Sequence, residues 1–333
     1  MPHKSLKRIG IILSLFIAFS IAILVGRYPV SLQKVFKILF DWGSTNYSAV
    51  ERAVILDVRM PRALLAILVG GALSVSGAAF QGMFHNPLVD SGILGVSSGA
   101  GFGAALAIIL FNRSYGMIYL LSFVFSIIAV LSSLLIGSVY DRHNKVMLVL
   151  GGVIVSSIFS ALLSFMKYVA DPYDQLPSIV FWLMGSLASV WYSDVLISLI
   201  PISIGMLIIF AFRWRLNVLS MGDKEAKSMG VHVGLIRIMI ITGATLATAA
   251  SVAVAGVVGW IGLVIPHVGR MLVGNDNRTL IPVSFVLGGT FLLLIDTLGR
   301  SITGSELPLS ILTALIGGPF YIYLLLRTKG GGW

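Results

Sequence analysis

Ten stretches of this chain are apolar over about the length a helix needs to cross a bilayer, roughly 20 residues. They run near 9–26, 63–83, 93–111, 117–139, 146–167, 194–212, 235–256, 259–273, 280–298 and 307–326. A chain patterned this way has lipid as its main solvent, and the expected fold is an all-α polytopic membrane protein with about ten transmembrane helices. The first run follows MPHKSLKR and has the outline of a signal peptide. It is too long for a typical signal core and lacks a small-x-small cleavage site, so it reads as an uncleaved first span. A weaker apolar stretch, Ile179–Val190, follows a DPYDQLP turn and is too short to span. It reads as a half-helix at the outer face. No soluble domain interrupts the spans, so residues 1–333 read as a single transmembrane domain.

Charge then sets orientation. The chain has 23 Lys and Arg against 13 Asp and Glu, a formal net charge of +10. The basic residues stand singly between spans rather than as a stripe on a soluble domain, which argues against nucleic acid as partner. Short cytoplasmic loops collect Lys and Arg. Placing the N-terminus inside puts most of them in the cytoplasm, among them Lys4, Lys7, Arg8, Arg142, Lys145, Lys224, Lys227, Arg278, Arg327 and Lys329. Both termini are then cytoplasmic. The exception is residues 27–62, read as an outer loop, which carries Arg27, Lys34, Lys37, Arg52, Arg59 and Arg62. An acidic partner waiting outside would account for it. The chain has no cysteine, which excludes disulfides and thiolate chemistry.

Within the spans, Gly70, Ser74, Gly77 and Ala78 share one helical face, and Gly95, Gly99 and Gly103 recur every four residues. In lipid, small residues let helix backbones approach closely. FHNPLVDSG (84–92) reads as a tight polar turn built on Asn86, Pro87 and Asp90. Asn217–Val231 reads as a short cytoplasmic helix with Ser220 as N-cap, Asp223 in its first turn and Gly230 as its stop. Leu219, Ala226 and Met229 form its apolar side. Such a helix is marginal alone in water and needs a surface, either a protein groove or the lipid headgroup layer. Asp296 within the ninth span reads equally as a functional ionisable residue or as an i,i+4 ion pair with Arg300 at the outer end of the helix. Pro266 is expected to kink its helix.

The sequence holds no phosphate-binding GxxxxGK[ST] loop, no His/Glu cluster with metal-ligand spacing and no nucleophile–base pair. The spans hold almost no carboxylate to bind a coupling ion. If the chain moves a solute uphill, another subunit supplies the energy. Two other classes stay open, an ion-coupled secondary transporter and a membrane-embedded enzyme.

Four ordered blocks carry a resemblance. They are RMPRALLAILVGGALSVSGAAFQGMFHNPLVDSGILGVSSGAGFGA (59–104), LSMGDKEAKSMGV (219–231), VAGVVGWIGLVIPHVGRMLVGNDNRTLIP (254–282) and LGRSITGSELPLSILTALIGGPFYIYLL (298–325). Together they resemble the membrane subunit of FecCD-type, binding-protein-dependent ABC importers, the type II permeases that take up iron–siderophores, haem, vitamin B12 and some oxyanions such as molybdate. The resemblance implies a permease paired with a second permease copy, two ATPase subunits that hold ATP and Mg, and an extracytoplasmic substrate-binding protein. It implies location in a bacterial or archaeal cytoplasmic membrane, with no catalysis, metal or cofactor in this chain itself. Arg59, Arg62 and Arg300 match arginines that dock glutamates of the binding protein. On that basis charge reversal at Arg59 and Arg62 is expected to weaken docking and leave folding intact. Ser220, Gly222, Asp223, Glu225, Ala226, Met229 and Gly230 match the helix that couples to the ATPase. Asn86 and Leu88 match one part of an inner gate, and Lys145 and Val146 the other, where a compared family member has small hydroxyl residues and Lys145 departs from it.

Overall fold

Lipid offers no partner for backbone N–H and C=O groups, so a chain living there must satisfy them within its own helices. The computed structural model describes residues 2–40, 47–138, 145–302 and 304–327. Arg142 and Lys329, counted above in the orientation reading, lie outside them, as does most of the RTKGGGW tail. The described residues form α1 (Pro2–Leu24), α2 (Leu32–Phe40), α3 (Ala49–Ala53), a π-helical segment (Val54–Arg59), α4 (Met60–Phe84), α5 (Val96–Leu110), α6 (Tyr115–Ser138) and α7 (Lys145–Val169). There follow α8 (Gln175–Leu183), α9 (Tyr192–Leu219), α10 (Asp223–Ser228), α11 (Val233–Ala255), α12 (Ile261–Val273), α13 (Asn277–Ile302) and α14 (Leu309–Arg327).

Six helices are long and apolar enough to cross a membrane: Ala49–Phe84, α6, α7, α9, α11 and α13. Shorter apolar helices lie in α1, α5, α12 and α14. Together they occupy the ten expected positions. A short helix stands near the expected half-helix but earlier, as α8 over Gln175–Leu183 rather than Ile179–Val190, and before it the Asp171 carboxylate accepts from the backbone N–H of Tyr173 and Asp174.

The second span differs from expectation. It begins at Ala49, well before residue 63, and runs unbroken to Phe84. Ser48 starts it, accepting from the Glu51 N–H while the Glu51 carboxylate accepts from the Ser48 N–H, a reciprocal capping box. The π-helical turn sits just before Pro61, where the Met60 N–H reaches back to the Ile55 carbonyl. Proline brings no N–H of its own to the ladder, and a wider turn accommodates that loss. The stretch read as an open outer loop is therefore largely helix. Lys34 of α2 pairs with Glu51 at 2.7 Å.

Helices α4 and α11 form the centre of the bundle, and α6, α7 and α9 lie at its edge. About 83% of the apolar window is buried in the Ala49–Phe84 helix against 22% in α7. The small-residue face of α4 explains its position. A Cβ on Gly70 would overlap the Gly288 carbonyl oxygen of α13, and one on Gly77 would overlap that of Gly262 in α12. On α5, Gly99 and Gly103 meet the α6 backbone at Phe125 and Leu121. Gly95 serves differently, as the left-handed N-cap of α5.

Candidate functional site

Charged groups gather at the two ends of the bundle. At the end where α4 begins, three arginines predicted for docking come together, but in the interior. Arg59, Arg62 and Arg300 are 3%, 5% and 7% exposed. Arg59 donates to the carbonyls of Ile23 (2.7 Å), Leu24 (3.0 Å) and Tyr28 (2.6 Å). Arg300 donates to the Ala22 carbonyl. Those of Ala22, Ile23 and Leu24 are carbonyls at the C-terminal end of α1, which has no further helical N–H to satisfy them and carries partial negative charge, and that of Tyr28 belongs to the segment after it. Arg27, from the segment after α1, donates in turn to the Arg300 carbonyl at 3.1 Å.

Arg62 lies between two carboxylates. Its Nε stands 2.9 Å from both Asp296 oxygens, and Nη1 and Nη2 reach the Glu306 oxygens at 2.9 and 2.8 Å. The expected Asp296–Arg300 pair is present but loose, at 3.9 Å. Each of the three guanidinium groups is buried and engaged within the chain. Glu306 escaped the sequence reading. The signal available was charge balance, because a buried arginine beside a single aspartate needs a further acid.

Burial opposes ionisation of Glu306, yet the hydrogen bond and charge of Arg62 outweigh it and hold the carboxylate below its ordinary 4.5. A lowered carboxylate stabilises the fold fully above its ordinary value and loses that contribution as pH falls through the lowered one. Melting temperatures of the parent and of Glu306→Gln should therefore differ at neutral pH and converge in acid. A constant gap across that range would remove Glu306 from the pH response.

The opposite end carries α10. Two sequence expectations for this helix change. Ser220 does not cap it: Ser220 closes α9, its hydroxyl donating to the Asn217 carbonyl at 2.7 Å, and Gly222 is the N-cap. The apolar side divides, since Leu219 and Ala226 are buried while Met229 is exposed. Asp223 opens the helix as expected, and Gly230 (φ +76°) ends it, with the Val231 N–H donating to the Ala226 carbonyl. Met221, Lys224, Glu225, Lys227 and Met229 form its exposed surface.

The 84–92 turn lies at this same end. His85 ends α4 in a left-handed conformation (φ 53°). The Asn86 side-chain oxygen accepts from the Leu88 N–H at 2.9 Å, and Asp90 accepts from the Gly92 N–H at 3.0 Å. Burial raises the Asp90 carboxyl above its usual value. Of the matched gate residues, Leu88 and Val146 are exposed, whereas Lys145 turns inward to His85 and Asp223. A cavity of about 290 Å³ beside them is lined by Gln81, His85, Asn86, Ser220, Arg270, Asn275 and Asn277. A second, of about 350 Å³, lies against α8 and the α5–α6 turn, lined by Arg113, Tyr115, Tyr119, Phe181 and Trp182 among others. Among the described residues no group of three or more His, Asp or Glu side chains could hold a metal ion.

A bundle of six helices long and apolar enough to cross a membrane and four shorter apolar ones, with charge gathered at its two ends, defines a polytopic membrane protein of the transport type. Residues 13–327 match the FecCD transport family, and the chain belongs to that family. It is 40% identical over 324 residues to the molybdate import system permease protein of Haemophilus influenzae, spanning 97% of this chain and 96% of that one. A probable iron chelatin transport system permease protein of Helicobacter pylori is 42% identical over 277 residues, 83% of each chain. Among solved structures, an inward-facing metal-chelate type ABC transporter superposes with a TM-score of 0.85 at 39% identity, covering 96% of this chain and 98% of that one. The protein is a multi-pass permease of the ABC importer class.

Proposed function

We propose that this permease carries a metal chelate inward across a bacterial or archaeal cytoplasmic membrane, with both termini on the cytoplasmic side. The observation that carries the reading is the near full-length likeness to a metal-chelate type transporter, at 39% identity and a TM-score of 0.85. The chain works as one translocation domain beside a second permease copy. Two ATPase subunits hold ATP and Mg and seat against the exposed side of α10, where Met221 and Met229 offer apolar anchors. A solute-binding protein delivers the substrate to the opposite end. Its acidic residues meet cations that reach the surface, such as Arg52, in place of the buried Arg59.

A second reading, an oxyanion importer, is favoured by one observation, the 40% identity to a molybdate permease over 97% of the chain. Reconstitution decides between them. The permease, its ATPase and its binding protein are assembled in liposomes and offered ferric hydroxamate or molybdate. ATP-dependent uptake of the ferric chelate is expected. Uptake of molybdate alone selects the second reading, and uptake without any ATPase overturns both.

A further inference from the structure

At the α10 end, donors and acceptors alternate along one chain of side chains. Arg237 of α11 donates through Nη2 to both Asp223 oxygens, at 2.7 and 2.6 Å. The Lys145 ammonium, on the first residue of α7, faces the same carboxylate at 3.6 Å. It also stands 3.1 Å from Nδ1 of His85. Nε2 of His85 lies 2.6 Å from the Leu219 carbonyl oxygen. A carbonyl only accepts, so Nε2 carries the proton, Nδ1 presents its lone pair, and Lys145 donates to it. Burial and the Lys145 charge both lower the pKa of the His85 ring, in keeping with that neutral form.

The chain thus joins α11, α10, α7, the residue that caps the end of α4 and the last turn of α9. Helix α10 has six residues and cannot stand alone. The buried Ala226 and the carboxylate of Asp223 are what seat it. On the other side, His85 is the residue at which α4 turns into the segment bearing Asn86 and Leu88. Lysine suits the junction because its ammonium has three donors on a long stem. A small hydroxyl side chain at the same position would not span both partners.

We propose that Lys145 is a positioning residue that transmits displacement of α10 to the 85–90 turn and to the first turn of α7. The inference rests on the importer reading, in which the ATPase moves α10. The chain has no cysteine, so spin labels can be placed at chosen sites without background. Pairs Met271→Cys with Lys227→Cys, and Met271→Cys with Leu88→Cys, report α10 and the turn in the permease–ATPase complex in nanodiscs. In the parent, ATP–Mg should shift both distances. Lys145→Met should keep the α10 shift and lose at least half of the turn shift, and Lys145→Arg should restore it. A turn shift unchanged in Lys145→Met overturns the proposal. Should that variant fail to fold, Lys145→Gln carries the same test, keeping a donor for His85 and losing the charge facing Asp223. If α10 itself stays still in the parent, the importer reading fails, and the linkage is judged by melting alone. Lys145→Met and Asp223→Asn should then be non-additive, the double variant melting no lower than the poorer single. Strict additivity would show that the two groups do not act together.

Discussion

Arg62→Met is expected to destabilise the folded protein by about 3–5 kcal/mol, the usual cost of removing one partner from a buried ion pair. Arg62 is 5% exposed and Asp296 1% exposed. With Arg62 gone, Asp296 keeps only the loose contact with Arg300 at 3.9 Å, and Glu306 loses both of its short bonds. The effect comes from charge and not from volume, since methionine retains most of the apolar stem that arginine packs with. Two comparisons make this specific. Arg52→Met, at an exposed position on the same helix, should stay within about 0.5 kcal/mol. Adding Asp296→Asn to Arg62→Met should recover part of the loss, because a neutral amide is far cheaper to leave buried than a carboxylate. Thermal melting in detergent reads all four proteins. Equal melting of Arg62→Met and Arg52→Met would mean that the buried cluster contributes nothing. The expectation that charge reversal at Arg59 and Arg62 spares the fold reverses with this geometry. A glutamate at 62 would set a third carboxylate beside two others, and one at 59 would face the carbonyls that end α1.

The cluster also marks where sequence reading stops. Spans were legible because apolar length is a local property, and each of the ten expected positions holds an apolar helix. The long second helix was not, because Arg52, Arg59 and Arg62 interrupt its apolar run. Two of those three point inward, to carbonyls and carboxylates supplied by segments far off in the chain. Arg62 meets Asp296 across 234 positions, a separation no window detects. The short helix α10 was read correctly at its stop, where Gly230 is a local signal. At its start the same logic failed, because Ser220 satisfies a carbonyl of the preceding helix and leaves the cap to Gly222. Lys145 stood out in the sequence only as a departure from a pattern. Its partners His85 and Asp223 belong to two other helices, and only the fold brings them within reach.

The same fold makes Gly70 and Gly288 a reciprocal contact that tolerates no added side chain. Helices α4 and α13 are antiparallel neighbours, and their backbones touch where these glycines meet. A Cβ on Gly70 would overlap the Gly288 carbonyl oxygen, and a Cβ on Gly288 would overlap that of Gly70. Both obstacles are backbone, so no side chain can swing aside. Overpacking usually costs about 1–3 kcal/mol, and this site should reach the top of that range for alanine and exceed it for valine. The reason lies eight residues away. Arg62 precedes Gly70 by eight positions and Asp296 follows Gly288 by eight, so crossing and ion pair are about 12 Å apart along the same two helices. Prising the helices apart at the glycines lengthens the Arg62–Asp296 contact as well. In lipid no hydrophobic force between helices makes up for lost packing. Gly70→Ala and Gly288→Ala should therefore each lower the melting temperature sharply, and the double variant should be far better than the sum, since both break one contact. Gly10→Ala serves as the control. Nothing lies within 4 Å of a Cβ there, and alanine favours a helix by about 1 kcal/mol over glycine. A Gly70→Val protein that melts with the Gly10→Ala protein would show that α4 and α13 do not meet as described.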